Sequence, residues 1–260
     1  MANLTIFGNF FIHTKENLLR MKDSFLSFKD ISATNWVINI RGQFRYEAMT
    51  YLKYFLGKRL TAFTLTGDAG WFHDSRIMME SIKSSHVFFW IEDHINLVSD
   101  MSIYDQIINE LSLSKSDFMY YSFYWTRKRY EHIEKTKMQR ISWFDLNIDT
   151  FHKVTAKHPG TYIIGAVGIF TFDLFSRIIL SEDPQQAIKW PPHTPFDFEK
   201  SSYDTHWLPI RMAVPELELF ASIDDDSIVP GSCLISRGLY PEREKRQTMG
   251  ASHIQPIRHP

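Results

Sequence analysis

Over its first 125 residues the chain alternates between short apolar runs and helical stripes, and this alternation limits the possible folds more than any other feature. The runs are 4-LTIFGNFF-11, 36-WVINI-40, 60-LTAFTLTG-67 and 86-HVFFWI-91, with the aromatic 117-DFMYYSFY-124 as a fifth. Short runs rich in β-branched and aromatic residues read as strands. Between them, Leu18, Met21, Phe25 and Phe28 recur at helical spacing. So do Phe44, Ala48, Tyr51 and Phe55, then Trp71, Ser75, Met78 and Ile82, then Ile103, Ile107 and Leu111. Each set lies on one face of a helix. Strand and helix in regular succession predict an α/β fold with a doubly wound, mostly parallel central sheet flanked by helices.

In such a sheet ligands bind beyond the carboxyl ends of the strands. Gly8-Asn9, Arg41-Gly42, Gly67-Asp68 and Glu92-Asp93-His94 are all expected there. The last cluster is the most informative, because charged groups seldom end a buried strand without a partner or a task. Carboxylate oxygen and imidazole nitrogen are both good ligands for a divalent ion. Strand alternation would send Glu92 and His94 to one side and Asp93 to the other, so the three converge only if the chain bends. The plainer reading is a solvated loop start with an incidental ion pair.

Beyond residue 125 the pattern loosens. The charged 127-RKRYEHIEKTKMQR-140 reads as a solvated helix or loop, 162–169 as a buried strand and 172-FDLFSRIIL-180 as a helix. Four prolines in 184-PQQAIKWPPHTPFDFEK-200 predict a loop. Short strand-like pieces follow from 213 to 238, around 224-DDD-226. With no clear linker, one domain over 1–241 is expected, followed by a polar tail over 242–260. A formal net charge of -1 gives no global attraction to nucleic acid or an anionic membrane. Cys233 is the only cysteine, which excludes an intrachain disulfide. No apolar run reaches the ~18 residues of a membrane span. The first residues, MANLTIFGNFFIH, lack the basic segment and cleavage site of a signal peptide. A cytoplasmic protein without a transmembrane segment is therefore expected.

The stretch 67-GDAGWFHDSRIMMESIKSSHVFFWIEDH-94 resembles the nucleotide-sugar signature of the GT-A glycosyltransferases, in particular the family 2-like group. Its apolar strand runs into Glu92-Asp93-His94 where that family carries its acidic D-x-D motif. Downstream, 164-IGAVGIFTFDLFSRI-178 is similar to the family's acceptor-side strand and helix. The resemblance covers roughly residues 1–180. It implies a nucleotide-sugar-binding half over 1–125 and an acceptor-side half over 126–241. The implied activity is that of a hexosyltransferase. It would move a sugar, with inversion, from a nucleotide-diphosphate sugar to a glycan, a lipid-linked acceptor or another hydroxyl. It further implies contacts to the donor from Gly8, Asn9, Arg41, Asp68, Arg76, Glu92 and Asp93, with Arg237 as a further phosphate partner. A divalent ion, Mn²⁺ or Mg²⁺, would be held by Asp93, His94 and His206. The base that takes the acceptor's proton would be Glu199 or Asp204, with Asp173 ranked below them. The chain departs from the family in having E-D-H for D-x-D and Arg41 where a carboxylate is usual.

Two rival functions compete with this one. His73-Asp74 with Asp93, His94 and His206 would form a metal-dependent phosphohydrolase site, but the helical bundle this needs is at odds with the strand alternation. A non-catalytic nucleotide- or carbohydrate-binding module is the other, favoured by the aromatic 118-FMYYSFYWTRKRY-130. Asp224-Asp225-Asp226 is a second acidic candidate, ranked below residues 92–94 because it comes late in the chain.

Overall fold

The computed structural model describes residues 3–120, 122–159, 161, 163–165, 167–181, 207–224 and 229–241. The predicted alternation is present as β1 (Leu4–Phe11), α1 (Lys15–Phe28), β2 (Asn35–Arg41), α2 (Arg45–Leu56), β3 (Leu60–Phe63), α3 (Trp71–Met79) and β4 (His86–Phe89). There follow β5 (His94–Asn96), α4 (Ser102–Ser114), β6 (Phe118–Tyr120) and α5 (Phe123–Tyr130). Next come β7 (Thr136–Lys137), β8 (Ile141–Leu146), α6 (Ile148–Lys157), β9 (Gly168–Thr171) and α7 (Phe172–Leu180). The described chain closes with β10 (Ile210–Pro215) and β11 (Phe220–Ser222).

The main sheet has the order β3-β2-β1-β4-β9-β6-β10-β8-β7. Strands β3, β2, β1 and β4 are mutually parallel, and β6 and β10 pair in parallel further along. Strand β9 is antiparallel to both β4 and β6, and β8 to both β10 and β7. Only β9 and β8 therefore run against the rest, and the sheet is mostly parallel, as the alternation predicts. Strands β5 and β11 form a separate antiparallel ribbon.

The local reasons are readable in the residues. Helix α1 starts at Thr14, whose hydroxyl accepts from Asn17 N–H while Asn17 accepts from Thr14 N–H, a reciprocal cap. Its predicted stripe of Leu18, Met21, Phe25 and Phe28 is buried. Rings from that stripe meet the sheet edge to face: Phe25 on Trp36 at 5.4 Å and Phe28 on Phe88 at 5.3 Å between centroids. Such pairs add about 0.5–1.5 kcal/mol beyond area burial. Truncating Phe28 to alanine would cost about 3–5 kcal/mol.

Strand β1 covers the whole run 4–11, so Gly8 and Asn9, expected at its carboxyl end, lie inside it, and several other boundaries move. The apolar pattern persists through Phe10, and Gly8 leaves room for the Phe10 ring and Ile38. Strand β3 stops at Phe63. The run 117–124 divides, because Ser122 caps a new helix by accepting from Trp125 N–H. The buried strand expected over 162–169 is β9, beginning only at Gly168. Strand β8 and helix α6 are additions, and 127–140 holds the end of α5 and the short β7. The proline-rich loop and the tail over 242–260 lie outside the described residues.

Candidate active site

Strand β4 stops at Phe89 and the chain turns at Glu92-Asp93 before starting β5 at His94. That turn is the bend the three residues needed. His94 Nδ1 lies 2.6 Å from Asp93 Oδ1, and the imidazole is buried against the Phe220 ring. Pairing of β5 with β11 sets Ser222 opposite His94, and Ile223 N–H donates to the Asp93 carbonyl at 2.6 Å. The next residue is Asp224. Asp224, the first residue of the late acidic run ranked second on chain position, is thus delivered to the same corner by a two-stranded ribbon. A strand pattern in 217-LELFASI-223 was the only signal for this, and it says nothing about which strand would be the partner.

Arg20 on α1 braces the corner, donating Nε–H to Glu16 Oε1 at 2.9 Å and Nη1–H to Asp224 Oδ2. Neither Arg20 nor Glu16 was singled out in the sequence, since both fall within an ordinary amphipathic helix. Glu92 keeps part of its surface exposed, yet its Oε2 is buried without a hydrogen-bond partner. Burial pushes its carboxyl up to about 8, and the like charges of Asp93 and Asp224 push in the same direction. The positive charge of Arg20 opposes this shift without cancelling it, and a hard cation would suit these oxygen donors. Among the described residues, no group of three His, Cys, Asp or Glu side chains is placed so that it could hold a metal ion.

A second wall stands at the ends of β1 and β2. Arg41 is 2% exposed, and its Nε and Nη2 are buried with no hydrogen-bond partner. Desolvation lowers its pKa, opposed by the charge of Asp74 on α3. Asp74 is itself 3% exposed, and its Oδ2 is likewise unpartnered. Gly67 has φ +84° and lies against this guanidinium: a Cβ there would fall 2.5 Å from Arg41 Nη1. Both the backbone conformation and the contact require glycine.

The loop bearing Gly67 is anchored from below by two asparagines. Asn39 accepts from Leu65 N–H at 3.0 Å and donates to the Leu65 carbonyl and to Asn9 Oδ1. Asn9 in turn donates to Ser75 Oγ at 3.0 Å, and its carbonyl accepts from Trp71 Nε1–H at 2.7 Å. Asn9 therefore ties β1, β2 and α3 together from within the sheet. Asp68 is exposed on the loop and accepts from Thr66 Oγ1–H. Arg76 points elsewhere, donating to the carbonyls of Ile179 and Ser181 at the end of α7. Asp173 is exposed on α7 and pairs with Arg177. Arg237 pairs with Glu218 at 2.7 Å. His73 is exposed, with Nδ1 3.6 Å from Asp74 Oδ1. Glu199, Asp204 and His206, named for catalysis and metal binding, lie outside the described residues, as do Asp225 and Asp226.

Comparison with known proteins bears on the fold. No protein-family model matches the chain, and no curated protein sequence matches it. Among solved structures, S. aureus TarS residues 1–349 superposes with a TM-score of 0.50 at 9% identity, over 85% of this chain and 60% of that one. The same fragment in complex with UDP-GlcNAc gives a TM-score of 0.49 at 10% identity, over 87% and 60% of the two chains. The chain thus spans about 60% of the length of these TarS fragments. Among the described residues no helix is long and apolar enough to cross a membrane. At such low identity the likeness is one of architecture: a large, mostly parallel central sheet flanked by helices, matching a GT-A-like fold.

Proposed function

We propose that the chain is a glycosyltransferase that takes a sugar from a nucleotide-diphosphate donor. The observation that carries this reading is the corner of Glu92, Asp93 and Asp224, braced by Arg20, at the carboxyl edge of β4 in a GT-A fold. Fold alone assigns no chemistry; a concentrated acidic site at the expected edge of the sheet adds the chemical content. The donor's nucleoside lies toward Arg41, Asp74 and the Asp68 loop, and its pyrophosphate toward the acidic corner. Asp93 and Asp224 would hold a divalent ion, Mn²⁺ or Mg²⁺, with Glu92 beside them. When bound, that ion neutralises the pyrophosphate and the charge that develops on the leaving group. Arg41 offers charged donors already stripped of water, so an acceptor on the donor nucleotide gains a strong hydrogen bond there.

Inverting transfer to a glycan or lipid-linked hydroxyl, with Glu199 or Asp204 as base and His206 beside the ion, completes the reading. Such a base must reach the acceptor hydroxyl on the face opposite the leaving group. With Cys233 the only thiol, a reducing compartment such as the cytoplasm suits the chain. The test is thermal shift and calorimetry with UDP-, GDP-, dTDP- and CMP-sugars, with and without Mn²⁺, on wild type and Asp93→Ala. The expected result is binding of a diphosphate-linked donor that Mn²⁺ strengthens, together with slow donor hydrolysis. Both should disappear in Asp93→Ala while its melting temperature stays near wild type. Turnover of simple phosphate esters without donor binding would favour the phosphohydrolase instead.

A further inference from the structure

The aromatic and basic stretch 118–130 takes no part in the donor site, and helix α5 shows how its residues are arranged. Thr126 and Tyr130 turn one face of α5 into the core, and both are buried. The opposite face carries Tyr124, Trp125, Arg127 and Lys128, the two rings half-buried and the two cations exposed. Little more than one turn of helix therefore brings two aromatic rings and two positive charges to the surface.

The cations lie on the rings. Lys128 Nζ is 5.4 Å from the Trp125 ring centroid and 5.9 Å from that of Tyr124, and Arg129 lies 5.1 Å over Trp125. A long stem laid along a ring, with its charge at the rim, holds apolar and cationic groups at one level. The charge extends beyond the helix. Lys153 and Lys157 are exposed on α6, which packs beside α5, and the rings of His132 and His158, just beyond the two helices, lie 6.4 Å apart. Over 123–137 and 148–157, seven basic residues stand against the acids Glu131, Glu134 and Asp149, in a chain whose formal net charge is -1. The attraction to anions that the whole chain lacks is thus present locally.

Tyr and Trp settle at a membrane–water interface, and Lys and Arg beside them meet anionic headgroups. Single-stranded nucleic acid also binds aromatic and basic surfaces, but by stacking bases on open ring faces. Here Lys128 and Arg129 already lie over ring faces. We propose that α5 and the basic groups of α6 dock the protein on an anionic phospholipid surface. Strand β9 is antiparallel to both β4 and β6, so β4 and β6 run the same way. Helix α5 follows β6 as the Glu92-Asp93 turn follows β4, which places both at one edge of the sheet. Tyr124 also borders a crevice shared with Ser222, two residues before Asp224. Docking would hold the acidic corner near the bilayer, within reach of a lipid-linked acceptor. That consequence rests on the transferase reading; the docking itself does not.

The experiment is co-sedimentation of the full chain with vesicles of phosphatidylcholine alone and of equal parts phosphatidylcholine and phosphatidylglycerol. Binding of a single-stranded oligothymidylate, and calorimetry with UDP and GDP, run in parallel. Wild type is compared with Arg127→Glu/Lys128→Glu, with Tyr124→Ala, and with Lys53→Glu/Lys58→Glu, an equal change of charge at exposed positions on and after α2. Wild type should bind the mixed vesicles and not the neutral ones, and should release them as salt rises. The charge reversal on α5 should weaken binding about tenfold or more and Tyr124→Ala about threefold, while the reversal at α2 binds as wild type does. Nucleotide affinity should be the same in all four proteins. No binding to mixed vesicles, equal losses in the two charge reversals, or capture of the oligonucleotide in preference to vesicles overturns the docking surface. Vesicle binding that depends on α5, in a protein that binds neither nucleotide, supports the docking and overturns the transferase reading.

Discussion

A guanidinium held in the interior without hydrogen-bond partners destabilises a folded protein unless something binds it. Arg41 is in that position, with Asp74 close enough to oppose its desolvation but not paired to it. Function and stability should therefore separate at this residue. Replacing Arg41 with Met should raise the melting temperature by about 2–6 °C and weaken nucleoside diphosphate binding by about tenfold or more. A fall in melting temperature with unchanged binding would make Arg41 structural. His86, at the opposite end of β4, gives a pH prediction. Burial lowers its pKa, so the folded protein resists a proton that the unfolded chain accepts below about 6.5. Its contribution to stability is present above that pH and is lost as pH falls. Thermal melts from pH 7.5 to 5 should show a smaller decline for His86→Gln than for wild type. The sequence exposed Arg41 as an anomaly, a cation where a carboxylate is usual. It could not show that Asp74 would be buried beside it, because that depends on how α3 docks.

At the scale of elements, legibility followed the locality of the cause. Helix α1 was plain because its cap and apolar stripe lie within one stretch of chain. Strand β1 matches the run 4–11, but Gly8-Asn9, expected at its carboxyl end, lies within it, where Gly8 accommodates the Phe10 ring. Strand β8 and helix α6 fall beyond the charged run 127–140, in a stretch for which no element was expected, and β8 is held by its long-range pairing with β10. The asparagine network belongs to this scale as well. Asn39→Ala removes three hydrogen bonds that anchor the loop after β3, and should cost about 2–3 kcal/mol in urea denaturation while weakening nucleotide binding. Arg76→Ala tests the opposite case. Its bonds go to the end of α7, so stability should fall by about 1 kcal/mol with nucleotide affinity unchanged. A tenfold loss of affinity would instead place Arg76 on phosphate.

Across the whole molecule, the site is assembled from pieces far apart in the chain. Arg20 comes from the first helix, Glu92 and Asp93 from the turn after the fourth strand, and Asp224 from the end of the last described strand. Sequence reasoning reached the middle piece because strand alternation and the sheet-edge rule are local and general. It ranked Asp224 low because only the pairing of β5 with β11 connects the two acidic runs. The most direct measurement is calorimetric titration of UDP and GDP, with Mn²⁺ present, into wild type, Asp93→Ala and Asp224→Asn. Micromolar binding of one nucleotide, weakened about tenfold or more in both variants with the fold retained, is the predicted result. Failure of both nucleotides to bind, or binding that both variants keep intact, would contradict the claim that this acidic corner receives the donor's pyrophosphate.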